Sequence, residues 1–234
     1  YFKCNYIGKP KILNSGYRNQ LFYYDMNYIN GQTLENFIIK KPLSVSLNIF
    51  KKLIFFIEAN RKKKYFVNDT SKKINLKIDE LEKKIIKKKK INILKKKIEF
   101  LKKTNWKYFP ISENHGDLSL ENILIDGKYK INFIDMNKNF VDSYLLDISK
   151  LIFDFNCDWS VQKNQINSIK TINYRLKYDY IKNYVLENFK FMLTKKEQYF
   201  IKRLLILDIL RILPYIKSNY LEKKLINKLK NINI

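Results

Sequence analysis

Short runs of aromatic and β-branched residues open the chain, longer runs with helical spacing follow, and one stretch of tight loops interrupts them. The first 29 residues predict strands: "PKILNSG" from Pro10 and "QLFYYDMNYI" from Gln20, with Asn14, Ser15 and Gly16 as the punctuation of a hairpin. At Asn30-Gly31 the pattern turns helical. Thr33 is placed to cap a helix carrying Leu34, Phe37 and Ile38, and a second helix is expected from about Ser44 to Asn60. From Ser71 to Lys103 the apolar positions fall at Ile74, Ile78, Leu81 and Ile85, then at Ile91, Leu94, Ile98 and Leu101. Each set has helical spacing, and the break of phase across "KKKK" predicts two helices or one bent helix rather than a continuous coiled coil. Between Asn114 and Lys150 short strands return, with a hairpin "NILI-DG-KYKINFID" turning at Asp126-Gly127. A helix over Ile148 to Phe155 and further helical periodicity complete an α+β pattern, and no internal repeat is visible.

Composition changes this picture little. At 234 residues, 46% of them apolar, the chain can fill a genuine core. The net charge of +25 would by itself point to nucleic acid or an anionic membrane. That inference is discounted, because abundant Lys, Ile, Asn, Tyr and Phe with a single alanine, Ala59, is the bias of an AT-rich coding sequence. The Lys-rich stretch is read as an amphipathic pair with a solvated face, since lysines without interleaved readout residues are weak evidence for nucleic acid. Cys4 and Cys157 have no neighbours at metal-ligand spacing, so neither a disulfide framework nor a zinc site is expected, and a reducing, cytoplasmic setting fits best. No apolar run reaches the roughly 20 residues a spanning helix needs. Even Leu204 to Ile216 is broken by Asp208 and Arg211.

The chemistry sits in "HGDLSLENIL" and "FIDMN". Asp117 stands five residues before Asn122, and Asp135 eighteen residues beyond Asp117 across the hairpin. Phosphoryl transfer needs a carboxylate to orient and deprotonate the attacking hydroxyl, and hard oxygen ligands to hold Mg²⁺ against a triphosphate. A loop can offer the first carboxylate and, one short turn later, an amide oxygen. A returning hairpin then brings the second carboxylate back. Any one of these residues alone is an ordinary turn former; the compound pattern is what carries the reading.

That pattern resembles the catalytic loop and metal-binding motif of protein-kinase-like small-molecule kinases, the aminoglycoside phosphotransferase and choline kinase group. Gly116, where protein kinases usually carry Arg, favours the small-molecule branch. The resemblance implies a kinase-like architecture: a remnant of the β-rich N-lobe and hinge over residues 1–29, and a helical C-lobe over 30–234. Within that lobe it places the catalytic loop at 114–151 and a Lys-rich helical insertion at 71–103. It implies ATP and Mg²⁺ as cofactors, Asp117 as catalytic base, and Asn122 and Asp135 as metal ligands. His115, the sole histidine, would hold the loop rather than act as a base, and Asp147 would hydrogen-bond the loop backbone. "YYDMNYINGQTL" resembles the interlobe linker, where the Asn27 carbonyl and Ile29 amide would bind adenine. Asp142 is expected to be a turn former.

The resemblance also sets terms that the chain departs from. It calls for a phosphate-covering loop and a strand lysine well before the hinge, yet 26 residues precede Asn27 and the first is Tyr1. Lys3, Lys9 and Lys11 lie too close to the hinge to take the lysine's role. The expectation is an N-terminally cut chain. The alternative is a kinase relic acting as a basic protein that binds nucleic acid or makes peripheral contact with an anionic membrane; no RNA-binding signature supports it. Polycationic aminoglycosides fit poorly, with 22 acidic against 47 basic residues. A small-molecule hydroxyl is the expected acceptor: a sugar, an amino alcohol of a surface-polysaccharide or lipid head-group pathway, or a phosphorylated precursor. Arg211 is read as a core-flanking arginine that snorkels rather than as part of a pocket.

Overall fold

The computed structural model describes residues 7–66, 70–88, 92–137, 139–160 and 170–232. Its first element, β1 (Ile7–Gly8), is followed by β2 (Ile12–Arg18) and β3 (Leu21–Met26). The last two pair antiparallel as the expected hairpin, with Arg18 opposite Leu21 and Asn19 and Gln20 both at positive φ in the turn. Nearly every residue of that hairpin is exposed, including Tyr17, Leu21 and Phe22.

Before the first helix comes a strand the sequence does not announce, β4 (Gly31–Thr33). Thr33 then caps α1 (Leu34–Lys40), its hydroxyl accepting from the Asn36 amide. The second helix, α2 (Leu43–Lys62), runs slightly beyond both expected ends. A short β5 (Tyr65–Phe66) precedes the Lys-rich stretch, which forms α3 (Ser71–Lys88) and α4 (Asn92–Lys102). Ile91 and the residues where the phase breaks lie outside those described. Ile74, Ile78, Leu81 and Ile85 of α3, with Leu94, Ile98 and Leu101 of α4, are all buried. Among the lysines, Lys102 bridges the two helices by pairing with Asp79 and Glu82 of α3, and Lys97 is buried with its ammonium on the Ile232 carbonyl.

After β6 (Pro110–Ile111), which pairs with β5, the chain forms a single 3-10 turn (Leu120–Asn122), β7 (Ile123–Asp126) and β8 (Ile131–Phe133). These strands are the centre of a four-stranded sheet ordered β1-β8-β7-β4, with β1 parallel to β8 and the other pairs antiparallel. The β7–β8 connection corrects the two-residue Asp-Gly turn. The Asp126 amide bonds the Lys130 carbonyl, and the Asp126 carboxylate accepts from the Lys128 and Lys130 amides at 2.9 Å each. Positive φ falls on Tyr129 (57°) rather than on Gly127, so the loop is a wider turn closed by a left-handed residue. Tyr129 tolerates that backbone because its ring packs edge-on against Phe37.

The remaining helices are α5 (Tyr144–Cys157), α6 (Lys170–Met192), α7 (Lys195–Ile212) and α8 (Asn219–Asn231). In α5, capped by Ser143, nearly every side chain is buried. It packs on α7, α2 and α6, making it the central rod of the helical body. Cys157 is a free thiol in that interior, where burial pushes its pKa up to about 12; Cys4 lies outside the described residues. No helix among the described residues is long and apolar enough to cross a membrane.

One buried carboxylate locks three of these elements together. Glu197, at the start of α7, completes a capping box with Thr194 and receives Arg61 at 2.8 Å and Lys64 at 2.6 Å from the end of α2, and the Tyr144 hydroxyl from α5. Burial opposes its ionisation, but hydrogen bonds from Arg61, Lys64 and Tyr144 outweigh burial and bring its pKa down from an ordinary 4.5 to about 2. With the folded-state value depressed, its stabilisation is present above pH 4.5 and is lost as pH falls toward about 2. Replacing Glu197 with Gln leaves two cations without a counter-charge. The expected loss is about 3 kcal/mol at neutral pH, together with a flatter decline of stability between pH 4.5 and pH 3. Urea melts of both proteins across that range check it, and parallel pH curves would contradict it.

Candidate active site

The loop after β6 is held from below by one face of α5. Asp147 accepts the His115 amide at 2.8 Å and the Gly116 amide at 2.9 Å, one on each carboxylate oxygen. One turn on, the Lys150 ammonium pairs with Asp117 Oδ1 at 2.9 Å. A further turn on, Asp154 accepts the Leu120 amide at 3.0 Å while also taking the Ser160 amide and hydroxyl. Positions i, i+3 and i+7 of one helix therefore grip the loop at four residues, His115, Gly116, Asp117 and Leu120. Sequence reasoning found the first of the three and missed Lys150 and Asp154. The signal was there, since Asp147, Lys150 and Asp154 form a charged stripe on a helix with no other charged residue.

Burial pushes the Asp147 carboxyl up to about 7 against the two amides that favour its ionised form. Its folded-state value is thus raised, so its contribution to stability is fully present below the ordinary carboxylate range and is lost as pH rises through about 7. Asp154 is likewise raised by burial, against its four hydrogen bonds from Leu120 and Ser160.

His115 is buried, with both ring nitrogens in use. Nε2 faces the Ile134 carbonyl at 2.8 Å and must donate to it, which leaves Nδ1 to accept the Asp117 amide at 3.2 Å. Burial pulls its pKa below the ordinary imidazole range, overriding the Ile134 bond. A neutral ring with no open nitrogen is a strut between the loop and β8, not a base. Its face also stacks edge-on against Phe133 at 5.3 Å.

Gly116 has φ of 88°, and a Cβ there would run into the Asn137 backbone carbonyl. Only glycine fits, because the segment after β8 crosses directly over the loop: the Asn137 amide bonds the His115 carbonyl at 3.0 Å, and the Asn139 side chain donates to the Gly116 carbonyl. An arginine at this position, the protein-kinase residue, would not be accommodated by this backbone.

These supports bring Asp117, Asn122 and Asp135 to the wall of one cleft of about 990 Å³. The Asn122 amide nitrogen donates to the Asp117 carbonyl at 2.9 Å and lies 3.4 Å from Asp117 Oδ2, so Oδ1 is the atom Asn122 has left to offer a cation. Asp135, exposed, sits just beyond β8 with φ of 54°, a left-handed conformation that Asp adopts more readily than most residues. Among the described residues no three His, Cys, Asp or Glu side chains gather as a metal site. The cleft's donor set is two carboxylates and an amide, all hard oxygens, which suits Mg²⁺ completing its shell with phosphate oxygens and water.

Across the cleft stand Lys9, Lys11 and Ile12 with Tyr24 and Met26 of the exposed hairpin. Lys9 and Lys11 were left unassigned by the sequence; here they line the same cleft as the two carboxylates. Asn27 and Ile29 do not line this cleft. The Asn27 amide bonds the Lys11 carbonyl at 3.0 Å, and its side chain accepts from the Lys11 amide, so it clips the hairpin to the preceding segment.

Asp117 also borders a second, smaller pocket, of about 230 Å³, with Arg211 on its wall. Arg211, read from the sequence as a core-flanking arginine, has a side chain 30% exposed and lines this concavity as well. α7 carries Arg211 to the same pocket as a loop almost a hundred residues earlier, a proximity no local pattern encodes.

Compared with known proteins, the chain matches no family model and no curated protein sequence.

Proposed function

We propose that this protein is an ATP- and Mg²⁺-dependent phosphotransferase acting on a hydroxyl group of a small molecule, on a protein-kinase-like scaffold. The observation that carries the reading is that Asp117, Asn122 and Asp135, singled out by the motif resemblance, line a single cleft large enough for a nucleotide. In this assignment Asp117 receives the acceptor hydroxyl and takes its proton as the phosphoryl group arrives. Lys150 fixes that carboxylate by Oδ1, and among the described residues Oδ2 has only a long, 3.4 Å contact from the Asn122 amide. Asn122 and Asp135 would hold Mg²⁺, which supplies neutralisation of charge on the phosphates. Lys9 and Lys11 add positive charge on the opposite wall, and Tyr24 and Met26 offer ring and thioether surface to a base. Fixed groups aimed at one point are what phosphoryl transfer asks of a protein, since positioning and electrostatics supply most of the rate.

The test is nucleotide turnover by the purified protein with and without Mg²⁺. ATP consumption should require the metal, and binding of Mg·ATP should change little between low and moderate salt. A protein that ignores ATP yet binds RNA or anionic vesicles with affinity that collapses as salt rises would be a basic binding protein instead.

A further inference from the structure

We infer that the acceptor carries an anionic group, a phosphate or a carboxylate, and that the pocket formed by Lys77, Arg211, Asn137, Asn139 and Phe140 on the outer side of Asp117 receives it. The inference rests on Asp117 being the group that takes the hydroxyl proton. Asp117 borders both the large cleft and this pocket, so a molecule seated here can present its hydroxyl to the carboxylate that also borders the nucleotide's cleft. At about 230 Å³ the pocket is below the roughly 300–1,000 Å³ of drug-sized sites and holds roughly seven or eight water volumes. The acceptor is therefore small.

Charge selects its class. Arg211 comes no nearer to Asp208 than 3.7 Å, too far for a hydrogen bond, and Asp208 is already served by the Ser149 hydroxyl, with Lys150 at 4.0 Å. The planar fork of Arg211 therefore has donors to spare for a bidentate anion. Lys77, from α3, is engaged with Glu80 at 2.9 Å in an exposed pair between neighbouring turns, a weak contact that a ligand anion can replace. Among the described residues the wall has no carboxylate apart from Asp117 itself and no ring apart from Phe140, so a cationic acceptor would meet two like charges and little to offset them. Asn139, with its nitrogen on the Gly116 carbonyl, keeps its oxygen to accept from a neighbouring hydroxyl.

The test follows backbone amide NMR shifts of the isotope-labelled protein during titration with inorganic phosphate, glycerol 3-phosphate, glycerol and ethanolamine. Phosphate and glycerol 3-phosphate should shift the Gly116, Asn139 and Arg211 amides, with glycerol and ethanolamine at least tenfold weaker. Arg211→Gln should weaken glycerol 3-phosphate about tenfold or more, Lys77→Gln less, and Arg211→Lys should recover part of the loss. Asp117→Asn should bind the anion as well as or better than the parent protein. Unchanged anion affinity in a folded Arg211→Gln, or preferential binding of ethanolamine, overturns the inference. Mg·ATP binding is measured in the same samples. If it persists while the anion ignores Arg211, only the acceptor inference falls. If Mg·ATP does not bind but the anion still needs Arg211, the kinase reading falls and the anion site stands.

Discussion

Asp117→Asn is expected to lower phosphoryl transfer by roughly 10²–10⁴-fold while Mg·ATP still binds, the range that one positioned proton acceptor contributes. The substitution is nearly isosteric, and the side chain is only partly buried, at 35% exposed. Its carbonyl oxygen can take over the bond from Lys150, and Lys150 keeps Asp208 within 4.0 Å. The loop backbone is fixed independently of this side chain, by Asp147 and Asp154 from α5 and by Asn137 and Asn139 from above. The variant should therefore melt close to the parent temperature, which makes the kinetic loss interpretable. Steady-state turnover with a saturating acceptor checks the expectation, and an undiminished rate would remove Asp117 from the role of proton acceptor.

Much of the local structure was legible from the sequence because short-range physics decides it. Thr33 caps α1 as its hydroxyl chemistry dictates, and the apolar spacing of Ile74, Ile78, Leu81 and Ile85 sets the buried face of α3. Gly116 stood out as a deviation from the protein-kinase pattern, and the structure gives that deviation a steric cause in the Asn137 carbonyl. The Asp-Gly hairpin misled because a two-residue turn is the commonest outcome for that dipeptide. Here the Asp126 carboxylate reaches forward to two amides and widens the loop instead.

What the sequence could not convey lies in contacts between distant segments. The parallel pairing of Ile7–Gly8 with Ile131–Asn132 joins residues more than a hundred positions apart, and β4 exists as a strand only because β7 is beside it. The same holds for the site. Asp117, Asn122 and Asp135 could be named from the motif they resemble, but Lys150 and Arg211 come from helices whose approach to the loop depends on how α5 packs against α7. Asn27 and Ile29, expected to bind adenine, lie outside the cleft lining for a similar reason. Asn27 is tied to Lys11, leaving Tyr24 and Met26 on the cleft wall.

The second large effect is expected at Asp135, and it bears on the convergence of donors from which everything else follows. Asp135 contributes one of two carboxylates in a donor set with no other acidic or imidazole ligand among the described residues. A cation held by so few protein atoms should not survive the loss of one. Even removal of a supporting hydrogen bond around a metal typically costs about 10–100-fold in affinity. The exposed position of Asp135 beyond β8 means that Asp135→Ala should keep the fold, with a stability loss of about 1 kcal/mol for alanine at positive φ.

The decisive measurement is therefore calorimetric titration of ATP into the parent protein and into Asp135→Ala, each with Mg²⁺ and with the metal chelated away. The account predicts that Mg²⁺ tightens binding at least about tenfold in the parent and has little effect in the variant. The same metal dependence in both proteins would contradict it.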